Sequence, residues 1–200
     1  MNSNVTGKDM WKWAKDLFPI HRSIAGEGVR ETLNYISNLL DDLKIYKIPS
    51  GKKVYDWIVP NEWKVEEAFI SNIKGDKILD FKNNNLHILS YSESINKKIS
   101  FKELNKHLHS LPKQPNAIPY VTSYYTKNWG FALTHNQRKK LKDASYNILI
   151  KASKKPGHLN YGELIIPGKS KKEVFISTYI CHPSMANNEL SGPVVSIALI

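Results

Sequence analysis

The chain has 200 residues, 41% of them hydrophobic, and a formal net charge of +11. That apolar content suffices for the core of one large domain or two small ones, and no apolar run approaches the roughly 20 residues of a membrane helix. The single cysteine, Cys181, excludes an intrachain disulfide, and the polar N-terminus lacks the basic-then-apolar pattern of a secretory signal, so a cytoplasmic protein is expected.

The lysines are scattered. The densest runs, Arg138-Lys-Lys-Leu-Lys142 and Lys169-Ser-Lys-Lys172, fall beside turns and not along one helix face. Neutralising several phosphates together needs clustering. The charge is therefore read as solvated surface, with neither a nucleic-acid nor a membrane partner expected.

Met10, Trp13, Leu17 and Phe18 recur at helical spacing, and Pro19 ends or bends that helix. The turn Arg22-Ser-Ile-Ala-Gly-Glu-Gly28 follows, its two glycines able to take positive φ. A second helix is expected over residues 29–44, with the stripe Leu33, Ile36, Leu39, Leu40 and Leu43. Asp41 and Asp42 near its end oppose the helix dipole.

From Ile45 the period shortens. Short strands alternate with turn residues such as Gly75-Asp76 and Asn83-Asn-Asn85. Strands are expected over 86–91, 129–133 and 146–150. A helix is expected over 101–111 with Ser100 as its N-cap. A further strand is expected over 162–166. Residues 173–180, Glu-Val-Phe-Ile-Ser-Thr-Tyr-Ile, form a nearly continuous apolar run that suits a strand buried on both faces of a sheet. A helix opens near Pro193, and its lack of a C-cap signal at Ile200 suggests a chain that stops inside a larger fold.

The polar loop after the apolar run holds Cys181, His182, Ser184, Asn187, Asn188 and Glu189. In open α/β sheets, ligands bind beyond the carboxyl ends of strands. Imidazole is a usual zinc ligand. By pattern alone, a lone loop histidine and an Asn-Asn pair fit a hydrogen-bonding surface turn better than a metal site.

His182-Pro-Ser-Met-Ala-Asn-Asn-Glu-Leu-Ser-Gly192 resembles the loop of co-catalytic zinc aminopeptidases, in which a histidine ligand is followed by a Gly/Ala-Asn-Asp-x-x-Ser-Gly stretch whose aspartate bridges two metals. Across nearly its whole length the chain resembles bacterial aminopeptidase-like proteins with a domain of unknown function inserted in the peptidase fold. The blocks are Leu17-Phe-Pro-Ile-His-Arg-Ser-Ile-Ala-Gly-Glu-Gly-Val-Arg-Glu-Thr-Leu33, Pro49-Ser-Gly-Lys-Lys-Val-Tyr-Asp-Trp-Ile-Val-Pro-Asn-Glu-Trp63, Ile118-Pro-Tyr-Val-Thr-Ser-Tyr-Tyr125, Trp129-Gly-Phe131 and Tyr161-Gly-Glu-Leu164.

The resemblance implies an α/β fold, a zinc-exopeptidase-like mixed sheet with helices, incomplete in this chain. Residues 1–48 and 165–200 are expected in the peptidase-like part and 49–164 in a β-rich inserted domain. It implies hydrolysis of a peptide or related amide substrate by metal-activated water, with zinc as cofactor, two ions in complete relatives. It places His182 on the first metal ligand and Asn188 on the bridging ligand. Asn188 departs from the family aspartate: a neutral amide binds zinc less well, so metal is expected to be weak or absent here. Adjacent Glu189 could compensate only by reaching from the wrong place in the loop. The family's remaining ligands and its acid/base glutamate follow the stretch matched here, so no catalytic residue is assigned and the chain alone is expected to be inactive. The alternative is a non-catalytic binding or scaffold protein that keeps the fold without the metal chemistry.

Other residues have plainer readings. Arg22 and Arg30 flank the glycine turn and are read as ties from that turn to the sheet before carboxylate or phosphate binders. Trp57, Trp63, Tyr120, Tyr124, Tyr125 and Trp129 are read mostly as core. His107 and His109 are spaced two apart around an expected helix and share no face. Cys181 is read as a packing residue.

Overall fold

The computed structural model describes residues 5–142 and 144–200. Residues 1–4, part of the polar N-terminus read above, lie outside the described residues. In chain order the elements are α1 (Gly7–Leu17), α2 (Glu27–Ser37), β1 (Lys44–Pro49), β2 (Lys53–Val54), β3 (Trp57–Ile58), β4 (Glu62–Ser71), β5 (Lys77–Asp80), β6 (Ile95–Ser100), α3 (Phe101–Leu104), β7 (Leu108–His109), β8 (Phe131–Ala132), α4 (His135–Lys139), β9 (Ser145–Lys155), β10 (His158–Glu163) and α5 (Ser191–Leu199). They form a mixed α/β structure with small sheets. Contacts divide it into two units: residues up to Glu62 together with Lys155–Ile200, and Trp63–Lys154.

In the first unit, Thr6 caps α1. Its hydroxyl accepts from the Asp9 backbone N–H, and the Asp9 carboxylate accepts from the Thr6 N–H at 2.8 Å. Two helix-end groups are satisfied by one exchange. Trp13 of α1, Ile36 of α2, and Val194 and Ile197 of α5 share one buried cluster. Each such side chain contributes about 1.5–3 kcal/mol on full burial.

α2 stops at Ser37, well short of the expected limit at residue 44. Leu39, Leu40 and Leu43 still pack on the helical cluster, but from a turn closed by the Leu43 N–H on the Leu40 carbonyl at 3.0 Å. Two acidic residues at a helix C-terminus are unfavourable, and the chain leaves the helix before reaching them. The two glycines of the preceding turn differ in role. Gly26 has φ 148°, a conformation few side chains adopt, whereas a Cβ on Gly28 would strike the His21 carbonyl oxygen.

β1 and β10 form an antiparallel ribbon in the register Lys44↔Glu163 to Pro49↔His158. The strand expected over 162–166 is therefore displaced toward the N-terminus, because its partner runs out at Lys44. Arg30 Nη1 donates to Glu62 Oε1 at 2.6 Å, and the same oxygen accepts from the His158 N–H at 2.8 Å. Arg30 thus ties α2 to the base of the ribbon.

The buried strand expected over 173–180 is not formed. No strand is assigned there, and Val174 and Phe175 are 92% and 89% exposed. An apolar run becomes a strand only where neighbours take up its backbone groups, and among the described residues no ladder pairs with it.

In the second unit the sheet order is β5-β4-β9-β6, with β4–β5 and β6–β9 antiparallel. Tyr146, Ile148 and Ile150 alternate inward along β9, the period-two pattern of a half-buried strand. They join Trp63, Ala68, Ile70, Leu104 and Phe131 in the core. Ser100 caps α3 as expected, accepting from the Glu103 N–H at 3.3 Å, but the helix ends at Leu104 and gives way to a tight turn over Asn105–His107. His107 therefore lies on that turn and His109 on β7, not on one helix. The strand expected over 86–91 opens instead as a turn, because the Asn84 side chain accepts from the Leu86 N–H at 2.9 Å. Trp63 is buried and stacks on Tyr91, and Trp129 and Tyr124 pack on the core, whereas Tyr125 is exposed.

Candidate metal centre

The loop after residue 180 is held from both sides within the first unit. Ile180 packs into the helical cluster, and Thr178 lies against Gly192, where a Cβ would collide with its hydroxyl. Ser184 Oγ donates to the Phe18 carbonyl at 3.3 Å, anchoring the loop to the end of α1. His182 and Ser184 take φ of 78° and 50°, the left-handed region that costs a non-glycine residue energy. Such strain clusters at functional sites, and here it coincides with the expected ligand.

A single π-turn, Ala186–Leu190, leads into α5. One-turn π segments recur at functional sites. This one turns the adjacent residues to opposite sides: Asn188 is exposed, whereas Glu189 is only 1% exposed. Tyr179 connects the two expected ligands. Its hydroxyl donates to Asn188 Oδ1 at 3.2 Å, and its ring centroid lies 6.4 Å from that of His182. Composition does not mark Tyr179 as a site residue; its place three positions before His182 is the signal the sequence carries.

Beneath the loop lies a charge couple that the sequence kept apart by more than 160 positions. Arg22 is 1% exposed, and its Nη1 donates to the Leu17 carbonyl at 2.5 Å. Its Nη2 and both Glu189 carboxylate oxygens have no hydrogen-bond partner among the described residues. Burial lowers the Arg22 guanidinium to about 10, and Glu189 opposes that shift. Burial raises the Glu189 carboxyl to about 7, and Arg22 opposes it. Each is thus the other's charge partner without a direct hydrogen bond. Arg22 serves as a tie, as the sequence suggested, but to helix carbonyl and buried acid.

The loop's other groups follow from the same environment. Burial, then the Arg22 charge, holds the His182 imidazole below its ordinary value, so it is neutral at pH 7 with a lone pair to donate. Burial, then Glu189, raises the Cys181 thiol, which stays protonated and is neither a ready nucleophile nor a thiolate ligand.

His21, next to Arg22, is pressed down to about 4, by burial first and the Arg22 charge second. The unfolded chain takes up a proton near 6.5 that the folded chain refuses until about 4. Stability linked to His21 is therefore complete above 6.5 and falls as the pH drops through that window, by roughly 3 kcal/mol. Glu189 acts with the opposite sign between 4.5 and 7, so the test compares variants. In urea unfolding at pH 7.5 and pH 4, the gap between wild type and His21→Gln should change by about that amount, in favour of the variant at low pH. An unchanged gap would refute burial of a neutral His21.

As a zinc site the donor set falls short. Catalytic zinc takes about three protein ligands. His182 is suitable, Asn188 offers one neutral oxygen already engaged by Tyr179, and Glu189 is turned inward. Among the described residues, no three His, Cys, Asp or Glu side chains gather closely enough to hold an ion. No helix among them is long and apolar enough to cross a membrane.

Known proteins place the chain more firmly. A family profile described as a domain of unknown function (DUF4910) matches residues 11–200. A Clostridium acetobutylicum protein, named for polysaccharide biosynthesis and for an aminopeptidase-like domain, is 46% identical over 191 residues, covering 96% of this chain and 44% of its own length. A crystal structure from Clostridium acetobutylicum, named for a peptidase, superposes with a TM-score of 0.91 at 44% identity, over 96% of this chain and 46% of its own. The chain thus spans less than half the length of each of these relatives.

Proposed function

The chain belongs to the family described as a domain of unknown function (DUF4910), and from that membership we propose that it supplies one metal-site loop of an aminopeptidase-like hydrolase of peptide or related amide bonds. The observation that carries this reading is the His182 loop: a neutral imidazole on a backbone of positive φ beside the Asn188 π-turn, in a chain 46% identical to a protein named for an aminopeptidase-like domain. The two residues of this loop do not make a complete site, so no chemical step is routed through a metal here. In this reading the remaining donors belong to the part of the relatives outside the match, and the chain alone turns over no substrate.

What this chain's residues do is positional. The Ser184 bond to Phe18 fixes the loop on α1. Thr178 against Gly192 fixes its approach to α5. Arg22 and Glu189 lie buried beneath the turn, and burial first, then the Arg22 charge, keeps His182 unprotonated near neutrality. The neutral amide at Asn188 favours a second reading, a binding or scaffold protein that keeps this frame without the chemistry.

Zinc titration with a chromophoric competitor separates the two. The first reading expects weak binding that His182→Ala abolishes, and no hydrolysis of an aminoacyl anilide by the chain alone. Zinc uptake indifferent to His182 would remove the basis for the metal-site reading. Turnover by the chain alone would refute the claim that its donor set is incomplete.

A further inference from the structure

The second unit carries a groove of about 310 Å³. One wall is the turn from β4 to β5, with Asn72, Ile73 and Ile78, and the other is the segment between α4 and β9, with Lys140, Leu141 and Lys142. Every described lining residue belongs to Trp63–Lys154, so both walls come from one unit. The walls are held by bonds that need no occupant. The Asn72 side-chain oxygen accepts from the Lys74 and Asp76 N–H groups at 2.9 and 3.0 Å, which closes the turn. Asn147 of β9 donates to the Asn72 carbonyl at 3.1 Å. Across the groove, the Lys142 N–H donates to the Tyr146 hydroxyl at 2.9 Å, and that hydroxyl donates to the Lys142 carbonyl at 3.0 Å. A preformed recess costs a ligand little reorganisation.

The recess is apolar and its rims are basic. Ile73 and Ile78 are 66% and 41% exposed and share the groove with the half-buried Leu141. Grouped apolar surface, unlike a lone surface side chain, marks an interaction site. Lys140 and Lys142 line one wall, and Lys74 follows Ile73 on the other. Among the described residues these three lysines and Lys139 form no ion pair, whereas Lys77, beside Ile78, is committed to Asp80 and Glu67. In sequence, residues 138–143 hold four basic side chains and one acidic one. We infer that this groove docks an acidic peptide segment of another protein, its apolar side chains in the recess and its carboxylates on Lys74, Lys140 and Lys142. Charge complementarity selects that occupant. The chain carries a net charge of +11, so a second copy would bring like charge to a basic rim. A nucleic acid would satisfy the lysines, but Tyr146, the aromatic side chain in the lining, is buried and offers its bases no stacking face. Carboxylates on the rims steer and orient the segment, and apolar burial holds it. This inference does not rest on the zinc reading, and its test is run in chelator.

The test is fluorescence anisotropy with the whole chain and a labelled peptide of two leucines flanked on each side by two glutamates. A dissociation constant on the order of 10–100 μM is expected. Ile73→Asp should weaken binding at least about tenfold, and Lys140→Glu/Lys142→Glu should do the same. Lys47→Glu/Lys53→Glu, an equal charge reversal at exposed positions of the first unit, should not, which separates the groove from net charge. Ile73 is exposed, so its change should leave urea unfolding unaltered. Equal binding of a peptide with serines in place of the leucines would overturn the inference. So would indifference to Ile73→Asp, no binding of the leucine peptide, or tighter binding of oligothymidylate that Lys140→Glu/Lys142→Glu removes. Sedimentation equilibrium of the chain alone should show no self-association at this surface. Self-association that Ile73→Asp abolishes would identify a second copy as the occupant and overturn the inference as well.

Discussion

An Arg22→Met variant should lose about 2 kcal/mol of stability in urea unfolding at pH 7, because the buried Leu17 carbonyl loses its donor, while Glu189, already about half protonated there, neutralises at little further cost. Arg22 is almost wholly inaccessible, binds the Leu17 carbonyl, and is the opposing charge that holds down the Glu189 carboxyl. Without it, Glu189 must stay protonated to remain buried, and the Leu17 carbonyl loses its donor. The pH dependence follows. The Glu189 carboxyl is raised from 4.5 to about 7, so the stability linked to its proton is complete below 4.5 and lost as the pH rises through 7. Removing Arg22 pushes that loss to a steeper slope above neutrality. An Arg22→Met/Glu189→Leu double variant should abolish the part of the deficit that grows above neutrality, since no buried carboxyl is left to ionise. A single variant within about 1 kcal/mol of wild type would show that Arg22 is not held on the Leu17 carbonyl in the folded chain.

Replacing Asn188 by Asp should tighten zinc binding by on the order of tenfold or more, about 1.4 kcal/mol. A unit charge at the roughly 2 Å ligand distance of zinc gains about 4 kcal/mol against a doubly charged ion even at the dielectric of water. Ordering an exposed side chain takes back part of this. Asn188 is exposed, so the carboxylate adds little desolvation cost, and only the Tyr179 hydroxyl bond competes for its oxygen. Glu189 cannot stand in for the missing carboxylate. The π-turn points it into the Arg22 pocket, and its burial keeps it half protonated near neutrality.

The placement of His182 and Asn188 on one loop before α5 follows from their closeness in sequence, because a motif is local. The opposite orientation of Asn188 and Glu189 does not, since it depends on a π-turn that hydrophobic pattern does not encode. Nor does the Arg22–Glu189 couple, which joins a turn before α2 to a loop before α5. In the fold, Met10, Trp13 and Leu17 announced α1 through their spacing. The spacing of Leu39, Leu40 and Leu43 predicts a helical apolar stripe; they pack on the cluster partly buried, but from a turn, because a turn can deliver leucines to a core as well as a helix can. The offset of β10 is set by its register with β1, a long-range fact. The apolar run at 173–180 was read as a buried strand from composition alone. Burial belongs to the neighbours, and among the described residues it has none on its edges.

The central claim is that the loop carrying His182 and Asn188 is a metal half-site weakened by one lost carboxylate. The most direct measurement is the zinc isotherm of Asn188→Asp with and without a second change, His182→Ala. The account predicts that the single variant binds zinc at least about tenfold more tightly than wild type and that the double variant loses the whole gain. Equal affinity in wild type and Asn188→Asp, or a gain that survives loss of the imidazole, would contradict it.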